Sequence, residues 1–393
     1  MKINPVFSSV SIGFLMLGSS NILMAAGTSH ANPQSAAKST ATTKELLKEP
    51  LTNNRSYVYA GLLYLKPTSS NLKYATFVSG TQPYYQSWHY QTIKPDFSAA
   101  FELGAGYALP NTSFSGAVDW THLNSNDSSF KQASRNTDLT TVEFVAPPYE
   151  MSPPVFGIKR VDAKVNFAFD SVLLNMAKQV DYSYGLKARF FGGINLLRVN
   201  QTLTTVFSDY AGSPATPYSY PLPPDPSFSF QTQTVSKYFG AGPDLGLNVQ
   251  YQTNSGFGVV GQILGTLTVG SMRTQDNFTS TSARLTSLGI GTSHQNITAP
   301  NETQVVPGAD GKLGVFYAYQ GSSIASFTVE AGYRFAAYLN AISTVEPGTL
   351  VQPGTVIVTP EFSTGTMAIV STHATNRPFN FSGPYLNLKI AMA

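Results

Sequence analysis

Apolar and polar positions alternate most clearly in residues 97 to 123, FSAAFELGAGYALPNTSFSGAVDWTHL. From 97 to 109 the odd positions are apolar or aromatic, and the even positions are small or charged. Since successive side chains of a strand point to opposite faces, this pattern predicts one apolar face and one small, polar face. Residues 109 to 112 contain turn-forming types, and a second alternating run follows. The stretch therefore predicts a hairpin of two long strands.

The length of these strands is the second signal. Strands of soluble proteins usually run about five or six residues, whereas a tilted strand needs about ten to cross a bilayer. The same long alternating unit recurs along the chain. Together these runs predict ten strands, at 57–66, 97–109, 113–123, 160–174, 182–199, 235–252, 257–270, 311–319, 323–338 and about 385–392.

The connections between the predicted strands alternate between long and short. The long ones are 68–96, 124–159, 200–234, 271–310 and 340–376, and the short ones are 110–112, 175–181, 253–256 and 320–322. This is the plan of an all-β, antiparallel, up-and-down transmembrane barrel with long extracellular loops, short periplasmic turns and periplasmic termini. Segments near 72–78, 201–207 and 350–358 could raise the count from ten strands to twelve or more, or could extend strands above the membrane.

Composition favours the same class. Only 11% of the 393 residues are charged, while 12% are aromatic, the mean hydropathy is −0.05, and no run of about 18 apolar residues is present to form a membrane helix. A soluble surface needs more charge than this. The net charge of +3 is too small to indicate a nucleic-acid partner, and the absence of cysteine excludes disulfides and thiolate metal sites.

Residues 1 to 26 are predicted to be a secretory signal peptide, with Lys2 before an apolar core and small residues at the end. An N-terminal membrane anchor is the alternative for this segment. Residues 27 to 54, rich in Ser, Thr, Ala and Lys, are predicted to be a periplasmic linker, and residues 55 to 393 the outer-membrane barrel.

Several segments resemble the pore-forming major outer-membrane proteins of the Legionella type. They include YAGLLYLKP at 59–67, PDFSAAFELGAGYALP at 95–110, SKYFGAGPDLGLNVQY at 236–251 and TVEAGYRFAAYLNA at 328–341. The resemblance runs from about residue 57 to the end, with the segments in the same order. It implies a pore-forming barrel in the bacterial outer membrane.

Charged residues on the polar faces of the predicted strands are the candidate site. The functional interpretation is a pore lining that orders ions, and the alternative is a filled interior where the charges pair. Ten strands leave at most a narrow path, since wide aqueous channels need about sixteen. The candidates are Glu102, Asp119, Asp162, Lys164, Asp170, Lys187, Arg189, Asp244, Glu330, Arg334 and Lys389.

Catalysis and cofactors are not expected. The five histidines are scattered without metal spacing, and residues 240 to 246, GAGPDLG, lack the spacing and the following helix of a dinucleotide loop. The expected partners are outer-membrane lipid, lipopolysaccharide and the barrel assembly machinery, with a homo-oligomer as a further option and no nucleic acid.

Three hypotheses about function remain open from the sequence. The first is a passive outer-membrane pore for small solutes or ions. The second is a non-conducting surface barrel whose long loops bind host or partner molecules, and the third is a secreted soluble β-protein. The register itself is testable, because the alternation in the fifth strand places Leu186 in lipid and Lys187 in the lumen.

Overall fold

A computed structural model describes residues 56–81, 85–110, 112–134, 141–148, 151–152, 158–182, 185–211, 224–281, 293–320, 325–351 and 368–392. The predicted signal peptide and linker lie outside these residues. No helix within them is long and apolar enough to cross a membrane. The strands are β1 (Ser56–Ser69), β2 (Lys73–Thr81), β3 (Tyr85–Thr92), β4 (Ser98–Ala108), β5 (Phe114–Gln132), β6 (Thr141–Ala146), β7 (Met151–Ser152), β8 (Ile158–Asp181), β9 (Leu186–Tyr210), β10 (Asp225–Gln252), β11 (Phe257–Thr281), β12 (Ser293–Thr298), β13 (Glu302–Gln320), β14 (Ala325–Val351) and β15 (Ala368–Met392).

Ten of these strands form a closed antiparallel ring, in the order β1, β4, β5, β8, β9, β10, β11, β13, β14 and β15. The last strand pairs with the first, with Ser56 opposite Met392, and this pairing closes the ring. Closure leaves no unpaired strand edge in the ring, which is the condition for a β-sheet to span a lipid bilayer. The predicted transmembrane barrel of about ten strands is confirmed.

Strand ends differ from the prediction mainly on the side of the long connections. There β5 continues to Gln132, β11 to Thr281 and β14 to Val351, well into stretches predicted as loops. The predicted extra strand at 72–78 exists as part of β2, but it belongs to a separate sheet of order β3–β2–β6 and not to the ring. The segment 201–207 lies within β9, and most of 350–358 lies outside the described residues. The ring therefore rises beyond the membrane as a taller barrel.

An apolar band surrounds the outer wall of the ring. On β11 its exposed side chains begin at Phe257 and end at Val269. Twelve residue steps of about 3.3 Å, tilted by about 40°, cover on the order of 30 Å, close to the height of a bilayer's hydrocarbon layer. Aromatic side chains stand at both margins, including Phe257 packed on Tyr317 and Tyr64 stacked on Phe97. This band is the lipid-facing surface.

The interior of the ring changes character along its height. In the extracellular half, one cluster of buried apolar side chains receives members from all ten ring strands, among them Leu65 of β1, Phe169 of β8 and Tyr238 of β10. The ring of Phe169 lies 5.4 Å from that of Tyr338 on β14 and 5.1 Å from that of Phe381 on β15. Because β8 is not a sheet neighbour of β14 or β15, these contacts cross the barrel. The extracellular half therefore contains a packed apolar core.

Strand β8 shows why the two halves differ. From residue 160 onward the even-numbered side chains of β8 face outward, and they are polar at Asp162, Lys164, Asn166 and Asp170 but apolar at Leu174 and Met176. The odd-numbered side chains face inward; they are apolar from Val161 to Phe169, and below them polar Ser171 and Asn175 alternate with buried Leu173 and Ala177. Above the membrane the outer wall meets water, and the apolar side chains turn inside. Within the membrane the outer wall meets lipid, so the polar side chains turn inside.

Candidate functional site: a charged layer inside the barrel

Four charged side chains meet in the interior below the apolar core. Lys312 Nζ lies 2.6 and 2.7 Å from the two carboxylate oxygens of Glu102. Arg334 Nη1 donates to Glu102 Oε2 at 3.1 Å, and Arg334 Nη2 donates to Asp310 Oδ2 at 2.6 Å. Side-chain exposures in this group lie between 4% and 9%. We name Glu102, Asp310, Lys312 and Arg334 the charged layer.

The charged layer spans the lumen rather than one wall. Glu102 stands on β4, whereas Lys312 and Asp310 stand on β13, and three ring strands separate β4 from β13 on the shorter path. Arg334 of β14 bonds to both sides, and its guanidinium carbon lies 5.5 Å from the ring centroid of Phe381 above it. The charged layer and the apolar core are therefore stacked on each other inside the barrel.

Neutral hydroxyl groups complete the charged layer. Tyr59 Oη donates to Glu102 Oε1 at 2.9 Å and lies 2.7 Å from Asp119 Oδ1. Arg334 Nη1 also donates to Thr121 Oγ1 at 3.1 Å. Buried charges are costly unless their hydrogen bonds are satisfied, and these contacts supply the missing partners.

Glycines make room for this packing on the lumen wall. A Cβ atom at Gly104 would collide with the ring of Tyr59, and one at Gly61 would collide with the side chain of Asn387. Both glycines lie on lumen-facing positions of their strands, β4 and β1. The small residues of the polar faces are thus required by the large polar side chains that cross the lumen beside them.

Eight of the eleven predicted residues face the lumen. Glu102 and Arg334 belong to the charged layer, Glu330 accepts a hydrogen bond of 2.6 Å from Tyr385 Oη, and Lys389 Nζ lies 4.1 Å from the ring centroid of Tyr57. The other lumen-facing members are Asp119, Asp244, Lys187 and Arg189, of which Asp244 is 6% exposed. Their role as a pore lining stays a prediction.

Three predicted residues lie on the outer wall: Asp162, Lys164 and Asp170. The prediction that they face the lumen is wrong, because the odd-numbered residues of β8, including Phe169, fill the core instead. Asp162 pairs with exposed Arg160 at 2.7 Å, and Asp170 Oδ1 lies 2.7 Å from His122 Nδ1. The rule that the apolar face meets lipid fails here, since this part of β8 stands above the membrane.

Asp310 and Lys312 are the members of the charged layer that sequence reasoning missed. Lys312 lies inside the predicted strand 311–319 but is not among the eleven candidates, and Asp310 falls in the predicted loop 271–310. A signal was present, because apolar Leu313, Val315 and Tyr317 alternate from Lys312 onward. Extending that alternation back by one pair of residues places Asp310 on the same face as Lys312.

The chemistry available to the charged layer is ion pairing. Within the described part of the chain, no group of three or more His, Cys, Asp or Glu side chains has the geometry to hold a metal ion. Buried ion pairs contribute little net stability compared with apolar packing, because desolvation offsets their attraction. Charged groups at membrane depth therefore warrant a functional interpretation.

A closed antiparallel ring with an apolar outer band and a polar lumen at membrane depth defines an outer-membrane β-barrel protein. The chain belongs to the family of the Legionella pneumophila major outer membrane protein precursor, whose family model matches residues 49–392. The resemblance found in the sequence is thereby confirmed, and the protein resides in the bacterial outer membrane. No sequence among curated proteins matches the chain.

Solved structures of other outer-membrane proteins are similar to this chain. The outer membrane protease OmpT from Escherichia coli is 11% identical, with 87% of this chain and 98% of that chain covered and a TM-score of 0.37. A Pseudomonas aeruginosa FadL homologue is 9% identical, with coverages of 86% and 90% and a TM-score of 0.25. The Ralstonia pickettii toluene transporter TbuX is 9% identical, with coverages of 88% and 91% and a TM-score of 0.22.

Proposed function

We propose that the protein is a closed outer-membrane barrel that presents its extracellular β-structure to a partner outside the cell. The observation that carries this proposal is the apolar core to which all ten ring strands contribute. A water-filled path would have to separate rings such as Phe169, Phe379 and Phe381, which are at most 2% exposed. Exposing each such side chain costs about 1.5–3 kcal/mol, so steady conduction is not expected.

The extracellular part offers a surface for such a partner. Trp88 and Tyr90 on β3 are 59% and 61% exposed, and Phe130 at the top of β5 is 66% exposed. Within the described residues β3 pairs with β2 alone, so its other edge has free backbone donors and acceptors. Exposed aromatic side chains beside an open strand edge are typical of surfaces that bind other molecules.

Conductance in a planar lipid bilayer tests this proposal. The purified full chain should insert without steady current steps, while a known porin prepared in the same detergent gives them. The purified protein is then applied to an array of cell-surface glycans and proteins. The binding signal should be lost with the variant Trp88→Ser/Tyr90→Ser and kept with Phe257→Leu, a change in the lipid-facing band. Steady, long-lived current steps from wild-type protein would overturn the closed-barrel proposal.

A second candidate is the passive pore for small ions that the family resemblance implies. The observation in its favour is the charged lower lumen, where acids and bases lie close enough to exchange partners. Glu102 already bonds to both Lys312 and Arg334, so a change of pairing needs only short side-chain movements. In this candidate the apolar core must also rearrange. Brief current steps whose frequency rises in Phe169→Ala would support it, because that change removes a ring from the core.

A further inference from the structure

The outer wall carries a row of polar donors just above the apolar band, on neighbouring strands. In cross-strand register, Asn200 of β9 is opposite Lys237 of β10, and Lys237 is opposite Arg273 of β11. Asn301, the residue before β13, lines the same shallow concavity as these three, together with Arg198. We name Asn200, Lys237, Arg273 and Asn301 the donor row.

Like charges face each other in the donor row. Residues directly opposite on antiparallel strands have Cβ atoms about 4.5–5.5 Å apart, and like charges at such positions repel. Among the described residues, neither Lys237 nor Arg273 has a carboxylate within 4.0 Å, and both side chains are exposed. An anion placed between the ammonium and the guanidinium would relieve this repulsion and accept hydrogen bonds from both.

Two carboxylates border the donor row without neutralising it. Asp170 lies 3.9 Å from Arg198, but its Oδ1 atom is held by His122 at 2.7 Å. Glu302 is opposite Met272, whose side chain is buried inside the barrel, so the register places exposed Glu302 on the other face of β13 from Asn301. The row therefore remains a cationic site.

The height of the donor row indicates which anion it meets. Phe239, two residues below Lys237, is 62% exposed, and Val269, four residues below Arg273, is 48% exposed. Both belong to the lipid-facing band, so the cations lie where the headgroups of the outer leaflet begin. A ligand that fits carries acyl chains for the apolar wall and a phosphate for the cations.

We propose that the donor row binds a phosphate of lipid A, the phosphorylated glycolipid of the outer leaflet. The acyl chains then lie against Phe239 and Val269, and the phosphate is held between Lys237 and Arg273. Asn301 bonds to a sugar hydroxyl on one side, while the amide oxygen of Asn200 on the other side accepts hydrogen bonds of 3.0 Å from Arg198 Nε and Nη2. The inference is independent of whether the lumen conducts.

Binding of diphosphoryl lipid A to the full chain in detergent micelles tests the proposal, with native mass spectrometry as the readout. The variant Lys237→Gln/Arg273→Gln should bind roughly thirtyfold more weakly, since each cation near an anionic membrane surface contributes about a factor of five. The control Lys94→Gln/Lys178→Gln removes two exposed charges elsewhere and should bind like wild type. The charge-preserving variant Lys237→Arg/Arg273→Lys should stay within about threefold of wild type.

Two further lipids decide the ligand class. Dephosphorylated lipid A should bind wild type as weakly as diphosphoryl lipid A binds the glutamine double variant. Equal weakening of binding in both glutamine double variants would overturn the proposal, as would wild-type affinity for phosphatidylglycerol equal to that for diphosphoryl lipid A. If Lys237→Gln/Arg273→Gln does not fold, the test uses wild type alone. Its affinity for diphosphoryl lipid A relative to dephosphorylated lipid A must fall as salt is added. A preference unchanged by salt would refute the site.

Discussion

Arg334 joins two carboxylates that face each other inside the barrel. Replacing it therefore measures what the charged layer contributes to the free energy of unfolding. In Arg334→Met, Asp310 loses the hydrogen bonds of 2.6 and 3.1 Å that Nη2 and Nε donate to Oδ2. Glu102 is affected less, because Lys312 remains 2.6 Å away. Leaving one buried charge without its partner costs about 3–5 kcal/mol of unfolding free energy, and we expect Arg334→Met to fall in that range.

A second substitution separates the orphaned charge from the lost side chain. Arg334→Met/Asp310→Asn removes the uncompensated charge, so it should recover at least about 2 kcal/mol relative to Arg334→Met alone. The assay is urea unfolding of the protein in lipid vesicles, followed by the fluorescence of Trp88 and Trp120 and checked by heat-modifiable gel mobility. Trp120 is next to Thr121, to which Arg334 Nη1 donates, but its own side chain faces outward, and Trp88 lies on β3 outside the ring.

An exposed arginine–aspartate pair is the control. Arg160 donates from Nε and Nη2 to the two oxygens of Asp162 at 2.7 and 2.8 Å, but these side chains are 47% and 42% exposed. Exposed pairs contribute about 0–1 kcal/mol, so Arg160→Met should have little effect. If Arg334→Met cost no more than Arg160→Met, or if Asp310→Asn gave no recovery, the four charged side chains would not form a buried, coupled network.

Three further predictions test which way side chains face. Ile194→Arg, in the middle of the lipid-facing band, should lower the unfolding free energy in vesicles by roughly 2–4 kcal/mol. Leu186→Arg, at the periplasmic rim, should lower it by close to zero. Equal losses would contradict the assigned depths. Lys187→Glu should fold in the same assay with wild-type yield, since its side chain faces the lumen, and failure to fold would mean a register error of one residue. Because the chain has no cysteine, Lys164→Cys on intact cells should react with a membrane-impermeant maleimide while Val165→Cys should not, and the opposite result would restore Lys164 to the lumen.

Local alternation was enough to predict the barrel, its strand number and the facing of most strands. Each membrane-spanning strand carries its own two-residue period, and neighbouring strands share the same environment on each face. Glu102 on β4 and Arg334 on β14 could therefore be placed in the lumen from their flanking residues alone. These assignments needed no knowledge of which strands meet across the barrel.

The errors have one physical origin. A period of two residues identifies two faces, but it does not say which medium each face meets. On β8 the apolar face was assigned to lipid, as it is on β4, although Phe167 and Phe169 pack in the core above the membrane. The height of the membrane along a strand depends on where its partners end, and that is a tertiary property. The alternation likewise places Leu186 in lipid without giving its depth, and the structure shows it as the first residue of β9.

The pairing partners within the charged layer were equally beyond local reasoning. Lys312 and Glu102 are 210 positions apart in the chain, and their contact follows from ring order and stagger, which alternation does not encode. The sequence does not decide between two interpretations of these charges, pairing in a filled interior and lining an open path. Their low exposure in the structure favours pairing.

The seam between β1 and β15 has a consequence for biogenesis. Ser56 meets Met392, so the hydrogen bonds that finish the sheet join its first strand to its last. A chain without β15 would present two rows of unbonded amides and carbonyls, on β1 and on β14, which hydrocarbon cannot solvate. Stepwise entry into the bilayer, strand by strand, is therefore excluded for an unaided chain. The chain must either stay out of the bilayer until β15 is available, or pair its open strand edges with another protein. That protein is then released when β1 and β15 pair.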